Sequence, residues 1–149
     1  MKTKILMVCL GNICRSPLAE GILRSKINSE TVFVDSAGTG GYHIGNPPDP
    51  RSIAIAHKYG LNIEGQRCRK FEVSDFHEFD VIYVMDKANY QNVVSLAQNK
   101  ADREKVKLIL EEIDLPEKQV PDPYYDEEDS FENVYQLLNT ACEAISERL

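Results

Sequence analysis

The sequence predicts an α/β domain built on a four-stranded parallel sheet with helices on both faces. Three observations carry this. Short apolar and β-branched runs alternate with segments of helical period, the order that yields a parallel sheet. The runs Ile5-Leu6-Met7-Val8 and Val81-Ile82-Tyr83-Val84-Met85 are apolar without alternation, as strands buried on both faces are. Parallel strands joined by right-handed crossovers then carry helices on both faces. At 149 residues the chain fits a single domain, residues 1–149, with one sizeable core.

Strand one is read at about residues 4–9. Ser16 and Pro17 read as the cap and first residue of a helix reaching about Asn28, with Leu18, Ile22, Leu23 and Ile27 on one side. Glu20 then falls in the first turn, where negative charge suits the helix dipole. Thr31 to Ser36 is β-branched and aromatic, as a second strand should be. Residues 37–50 form a loop rich in glycine and proline, long enough to suggest a functional role, and it contains Tyr42 and His43. Asp49 and Pro50 start a helix that Gly60 stops after about Tyr59. Residues 61–72 are irregular, and Val73 to Phe79 holds a short helical turn. Asp80 to Met85 is strand three, Lys87 to about Gln98 a helix, and Lys105 to Leu110 strand four. Glu111 to Tyr125 is irregular and proline-rich. Ser130 is the expected cap of a last helix with an apolar stripe of Phe131, Val134, Leu138, Ala141 or Cys142, Ile145 and Leu149.

The chemistry concentrates in Cys9-Leu10-Gly11-Asn12-Ile13-Cys14-Arg15-Ser16-Pro17, between strand one and the first helix. A loop between a strand end and a helix start is an anion site, because its free amides converge and the helix dipole adds positive charge. Cys9 stands at its entrance and Arg15 at its exit, a Cys-x5-Arg spacing. Wrapped around a tetrahedral oxyanion, the amides form a nest and Arg15 grips two oxygens as a fork. The same field favours the thiolate of Cys9, and a thiolate facing a phosphoryl group is a nucleophile. Gly11 and Asn12 are expected to take the unusual backbone angles of so tight a loop. Cys9 at a strand C-terminus also fits the rule that open α/β sheets bind ligands beyond their carboxyl edge.

Composition narrows the alternatives. The net charge of −7 argues against a general nucleic-acid binder. Residues 121–132 hold six acids and no base, a carboxylate-rich segment suited to face an anion pocket. No apolar run has membrane-spanning length, and the start lacks a signal-peptide pattern, so a cytoplasmic protein is expected, with no membrane partner. Four cysteines do not make a disulfide scaffold, and no histidine lies at zinc-ligand spacing from Cys9 and Cys14. Reduced thiols, no metal and no cofactor are expected.

Val8 through Pro17 resembles the signature loop of the low molecular weight protein tyrosine phosphatases, and the resemblance runs from the first strand to the last helix. It implies strand order 2-1-3-4 and phosphotyrosine-containing proteins as substrates; a monomer is expected. It also implies that Leu10, Gly11, Asn12, Ile13, Cys14 and Arg15 bind phosphate, that Ser16 bonds the Cys9 sulfur, and that Asn12 and Ser36 hold the loop's strained shape. Tyr42 takes the place of an aromatic that lines one wall of the crevice. Where many relatives carry a structural histidine, this chain reads Glu64-Gly65-Gln66. Gln66 replaces one hydrogen bond there but not a charge.

Phosphoryl transfer to a thiolate also needs an acid for the departing oxygen. On spacing alone Asp122, Asp126, Glu127, Glu128 and Asp129 are all open. Asp122-Pro123-Tyr124-Tyr125 matches the family's general-acid loop, which implies Asp122 as the acid and Tyr124 and Tyr125 as substrate walls. An arsenate reductase of the same fold would need a reactive cysteine pair downstream, and Cys68 and Cys142 stand alone. A pure phosphate-binding module would not need both a nucleophile and an acid. A neighbouring branch resembling protein arginine phosphatases carries Thr in place of Ile13 and Asp-Pro-Phe-Gly as its acid loop, so the resemblance favours phosphotyrosine.

Overall fold

The computed structural model describes residues 2–124 and 128–149, with the backbone alone for Glu128 and Asp129. The Tyr125 wall and the alternative acids Asp126 and Glu127 lie outside the described residues, as do the side chains of Glu128 and Asp129.

Four parallel strands stand in the order β2-β1-β3-β4, as the family resemblance implied. They are β1 (Thr3–Cys9), β2 (Val32–Gly38), β3 (Val81–Val84) and β4 (Val106–Leu108). The helices are α1 (Arg15–Arg24), α2 (Pro50–Lys58), α3 (Asp75–Glu78), α4 (Lys87–Val94), α5 (Lys100–Glu104) and α6 (Glu128–Glu147). Side chains alternate across a strand, so the unbroken apolar run of β1 feeds two cores. Ile5, Met7 and Cys9 face a layer with Leu18, Ile22 and Leu23 of α1 and Leu138, Cys142 and Ile145 of α6. Leu6 and Val8 face the other, with Phe71, Phe76, Phe79, Ile82 and Val93. β1 is central, and its last residue is Cys9, paired with Gly38 at the end of β2.

Several boundaries differ from the sequence reading. Helix α1 starts at Arg15, with Cys14 as its N-cap and no side-chain cap bond, so Ser16 does not cap it. The Ser16 hydroxyl is held instead by Asn12 and the Cys9 sulfur. Glu20 consequently lies beyond the first turn and is buried. Helix α4 stops at Val94, short of the expected Gln98, and a separate α5 follows, capped by Asn99, whose side chain accepts from the Asp102 amide at 2.8 Å. β4 stops at Leu108 because Ile109 and Leu110 turn into a 3₁₀ segment (Ile109–Glu112) that buries both against the α1 and α6 layer. Ser130 lies inside α6 rather than at its cap. The Asp49–Pro50 start of α2 holds, with the Asp49 carboxylate accepting from the Arg51 amide at 2.8 Å. Gly60, at φ 80°, follows its end.

Candidate active site

The loop from Leu10 to Cys14 leaves β1 at the carboxyl edge of the sheet and runs into α1. Its carbonyls are tied outward. The carbonyls of Cys9, Leu10 and Ile13 accept from the amides of Thr39, Gly40 and Asp49 at 2.8–2.9 Å. The Asn12 carbonyl accepts from the Cys68 thiol at 2.8 Å, and that of Cys14 from Ser52 at 3.3 Å. With the carbonyls turned out, the amides turn in. Among the described residues, none of the amides of residues 10–15 donates to a protein group. Six N–H groups in one tight loop at a helix N-terminus form an anion nest.

The loop is held by its own Asn12, whose φ of 58° is left-handed. Such a conformation persists only when its surroundings fix it. The Asn12 amide nitrogen donates to Ser16 Oγ at 2.8 Å and to Ser36 Oγ at 3.0 Å, and its oxygen accepts from the Arg69 amide at 3.0 Å. Gly11, unlike Asn12, has no positive φ. What it supplies is space, since a Cβ there would stand 3.2 Å from the His43 ring. Gly38 is required by close approach: a Cβ would meet the Leu10 carbonyl at 2.8 Å.

Cys9, only 2% exposed, forms the floor of a crevice of about 370 Å³ with its sulfur 3.0 Å from Ser16 Oγ. Leu10, Gly11, Ile13, Cys14, Arg15, Tyr42, His43, Asp122 and Tyr124 line it, and the crevice thus gathers most of the residues expected from the sequence. Arg15 is buried at 2% exposure, and its Nη1 donates to Asp86 at 2.6 Å and to the Val120 carbonyl at 3.0 Å. Burial opposes its charge, but the Cys9 sulfur, Asp86 and Asp122 outweigh burial and hold the guanidinium above its ordinary range. Asp122 Oδ2 lies 3.5 Å from Arg15 Nη2, and its Oδ1 accepts from the Tyr124 amide at 3.1 Å. The acid candidate therefore faces the loop across the crevice. Tyr42 is largely exposed at the rim, and His43 lies between Tyr42 and Tyr124, with ring centroids 6.5 and 6.0 Å away. Burial pushes the thiol of Cys14 well up, with Asp49 adding to the effect; it pushes Cys68 up to about 11 and Cys142 up to about 12.

Asp86, the Val120 carbonyl, His43 and Glu20 belong to this site; the sequence assigns no site role to any of them, and Glu20 reads there only as a helix-dipole partner. Asp86 and Val120 stand 71 and 105 residues from Arg15, beyond any local pattern. His43 was legible only as part of the long loop. Gln66 donates to the Pro17 carbonyl at 3.0 Å. A larger groove of about 520 Å³ between α2 and α6 has cations in Arg51 and Lys58, which pair with Asp49 and Glu132, and among the described residues no thiol or hydroxyl lines it.

The model of the low molecular weight phosphotyrosine protein phosphatase family matches residues 4–149. A putative low molecular weight protein-tyrosine-phosphatase of Synechocystis is 44% identical over 146 residues, covering 93% of this chain and 91% of its own. The crystal structure of YfkJ from Bacillus subtilis superposes with a TM-score of 0.92 at 38% identity, over 99% of this chain and 94% of that one. The tyrosine phosphatase Wzb of Escherichia coli K30, solved in complex with sulphate, gives a TM-score of 0.88 at 33% identity over 99% of both chains. With matches over nearly its whole length, this chain belongs to the low molecular weight phosphotyrosine protein phosphatases.

Proposed function

We propose that the chain hydrolyses phosphotyrosine in proteins, and small aryl phosphates, through a cysteinyl-phosphate intermediate and without a metal. The observation that carries this reading is the loop itself: six amides with no protein acceptor among the described residues, and a buried guanidinium, beside one thiol. A phosphoryl group seated there offers three equatorial oxygens to the amides and Arg15, so that Cys9 lies in line with the leaving oxygen. The phosphate takes the Arg15 fork, which frees Asp122 from its 3.5 Å pairing and lets it face that oxygen.

In the first step the Cys9 thiolate forms the S–P bond, the P–O bond breaks, and Asp122 gives its proton to the departing phenolate. In the second, water attacks phosphorus, Asp122 takes the water proton, and the S–P bond breaks to restore the thiolate. The Ser16 hydroxyl, 3.0 Å from the sulfur, stabilises the charge that returns there. Positive charge comes from Arg15 and the amides, so the reading assigns no role to a metal. Tyr42 and Tyr124 supply flat walls for a phenyl ring. A cytoplasmic, monomeric domain spanning residues 1–149 is part of the same reading; among the described residues no helix is long and apolar enough to cross a membrane.

The test is hydrolysis of p-nitrophenyl phosphate with and without EDTA, by wild type and Cys9→Ser. Wild-type activity is expected to survive the chelator. Cys9→Ser is expected to lose several powers of ten in kcat while still binding phosphate, because its cradle is intact. Activity above about a hundredth of wild type in Cys9→Ser would remove the nucleophile assignment.

A further inference from the structure

Glu20 is a buried carboxyl that the chemistry above leaves unused. It is 3% exposed and lies one turn beyond Ser16 on the same face of α1. Its Oε1 accepts from the Ser36 hydroxyl at 2.7 Å, and its Oε2 pairs with Arg24 at 3.2 Å. From Ser36 the bonds continue through Asn12, at 3.0 Å, to Ser16, at 2.8 Å, and from Ser16 to the Cys9 sulfur, at 3.0 Å. All five side chains are buried.

Counting protons fixes the direction of this chain. The Asn12 oxygen accepts from the Arg69 amide, so its NH₂ group must be the one facing the serines. Both of its protons are then committed, one to Ser36 and one to Ser16. Each serine has a single proton left to place. Ser36 places its own on Glu20. Ser16 can place its own on the Cys9 sulfur at 3.0 Å or on the more distant Ala37 carbonyl at 3.4 Å.

We propose that Glu20 is a positioning residue for the phosphate loop: by accepting the Ser36 proton it keeps both Asn12 N–H groups on the serines and so aims the Ser16 proton at Cys9. The inference rests on Cys9 being the nucleophile. Without an acceptor at position 20, the Ser36 proton competes with Asn12 for the same space. The amide then turns, and Ser16 keeps its bond to Ala37 rather than to sulfur. Asn12 also carries the loop's left-handed backbone, so its amide anchors the nest as well. A protonated Glu20 still offers Oε1 to Ser36, so the role belongs to the oxygen rather than to the charge.

The experiment compares Glu20→Leu, which removes the acceptor at similar volume, with Glu20→Gln, which keeps an acceptor oxygen. Both are assayed on p-nitrophenyl phosphate beside wild type, alone and combined with Ser36→Ala. Glu20→Leu is expected to lower kcat about tenfold with KM within about twofold, the scale of one buried hydrogen bond. Glu20→Gln is expected to restore kcat. Ser36→Ala and the Glu20→Leu/Ser36→Ala double variant are expected to match Glu20→Leu, because residues acting along one chain do not multiply. A wild type inactive on this substrate overturns the phosphatase reading and this inference with it. An active wild type with Glu20→Leu unimpaired, Glu20→Gln as impaired as Glu20→Leu, or losses that multiply in the double variant overturns this inference alone. Should Glu20→Leu fail to fold, a fully active Ser36→Ala overturns it equally.

Discussion

Glu20 also ties the stability of the fold to pH. Burial pushes its carboxyl up from an ordinary 4.5 to about 7; Ser36 and Arg24 pull it down, Asp35 pushes it up, and Arg69 pulls it down. The folded chain therefore binds a proton at position 20 more tightly than the unfolded chain does. The stability this proton contributes is fully present below about pH 4.5 and is lost as pH rises through about 7. Glu20→Gln has no proton to lose. Its melting temperature should therefore run level with wild type near the acid end of that window and above it past the upper end. Thermal unfolding of both proteins across the window is the measurement, and parallel curves would refute the linkage. The sequence could not supply this: an acid three residues after a Pro near a helix start reads as a dipole partner. The start of α1 at Arg15 takes Glu20 out of the first turn, and its burial comes with a partner from β2, Ser36, that no local pattern announces.

At the scale of elements, Asp86 joins two parts of the molecule. One oxygen accepts from the Asn89 amide at 2.8 Å and caps α4, while the other accepts from Arg15 at 2.6 Å. Asp86→Ala removes both. Loss of the cap should cost about 1 kcal/mol of stability. Loss of the Arg15 partner should raise KM for aryl phosphates about tenfold, because the fork is no longer held square to the oxyanion. Asp86→Asn should recover most of the stability, since its amide oxygen can still cap α4, but not the KM. Chemical unfolding with steady-state kinetics separates the two effects, and an Asp86→Ala variant with wild-type KM would show that the Val120 carbonyl alone orients Arg15. The elements themselves were legible where their cause is local. The unbroken apolar run of β1, the Asp49–Pro50 start of α2 and Gly60 after it act within a few residues. The capping role given to Ser16 failed because Asn12, four residues earlier, holds its hydroxyl in a loop whose shape depends on Ser36 and Arg69. The thiol and guanidinium of the site could be read from their spacing, but the partners that orient them arrive through the sheet.

The whole molecule bears on which phosphate it takes. The thiol is at the floor of the crevice, 2% exposed, while Leu10 and Tyr42 at its edge are 41% and 73% exposed. A substrate must therefore reach down, and a phenyl ring reaches further than the short stem of phosphoserine. The walls it passes are the rings of Tyr42, His43 and Tyr124, with Ile13 among the lining residues. Ile13 packs with Cys14, Cys68 and Phe131 in an apolar cluster, which Tyr124 joins, and offers no hydroxyl to an N–P substrate. Aromatic walls favour a phenyl ring by stacking, whereas the apolar Ile13 side chain offers the N–H groups of a phosphoguanidine no acceptor. Phosphotyrosine should be turned over well above phosphoarginine and phosphoserine, with kcat/KM on matched peptides as the measurement. Ile13→Thr should narrow the gap between phosphotyrosine and phosphoarginine, since a hydroxyl at that point can pair with the N–P group or polarise the attacking water. Phosphoarginine equal to or above phosphotyrosine in the wild type would overturn the substrate assignment. An unchanged ratio in Ile13→Thr would move the choice from Ile13 to the Tyr124 side of the crevice.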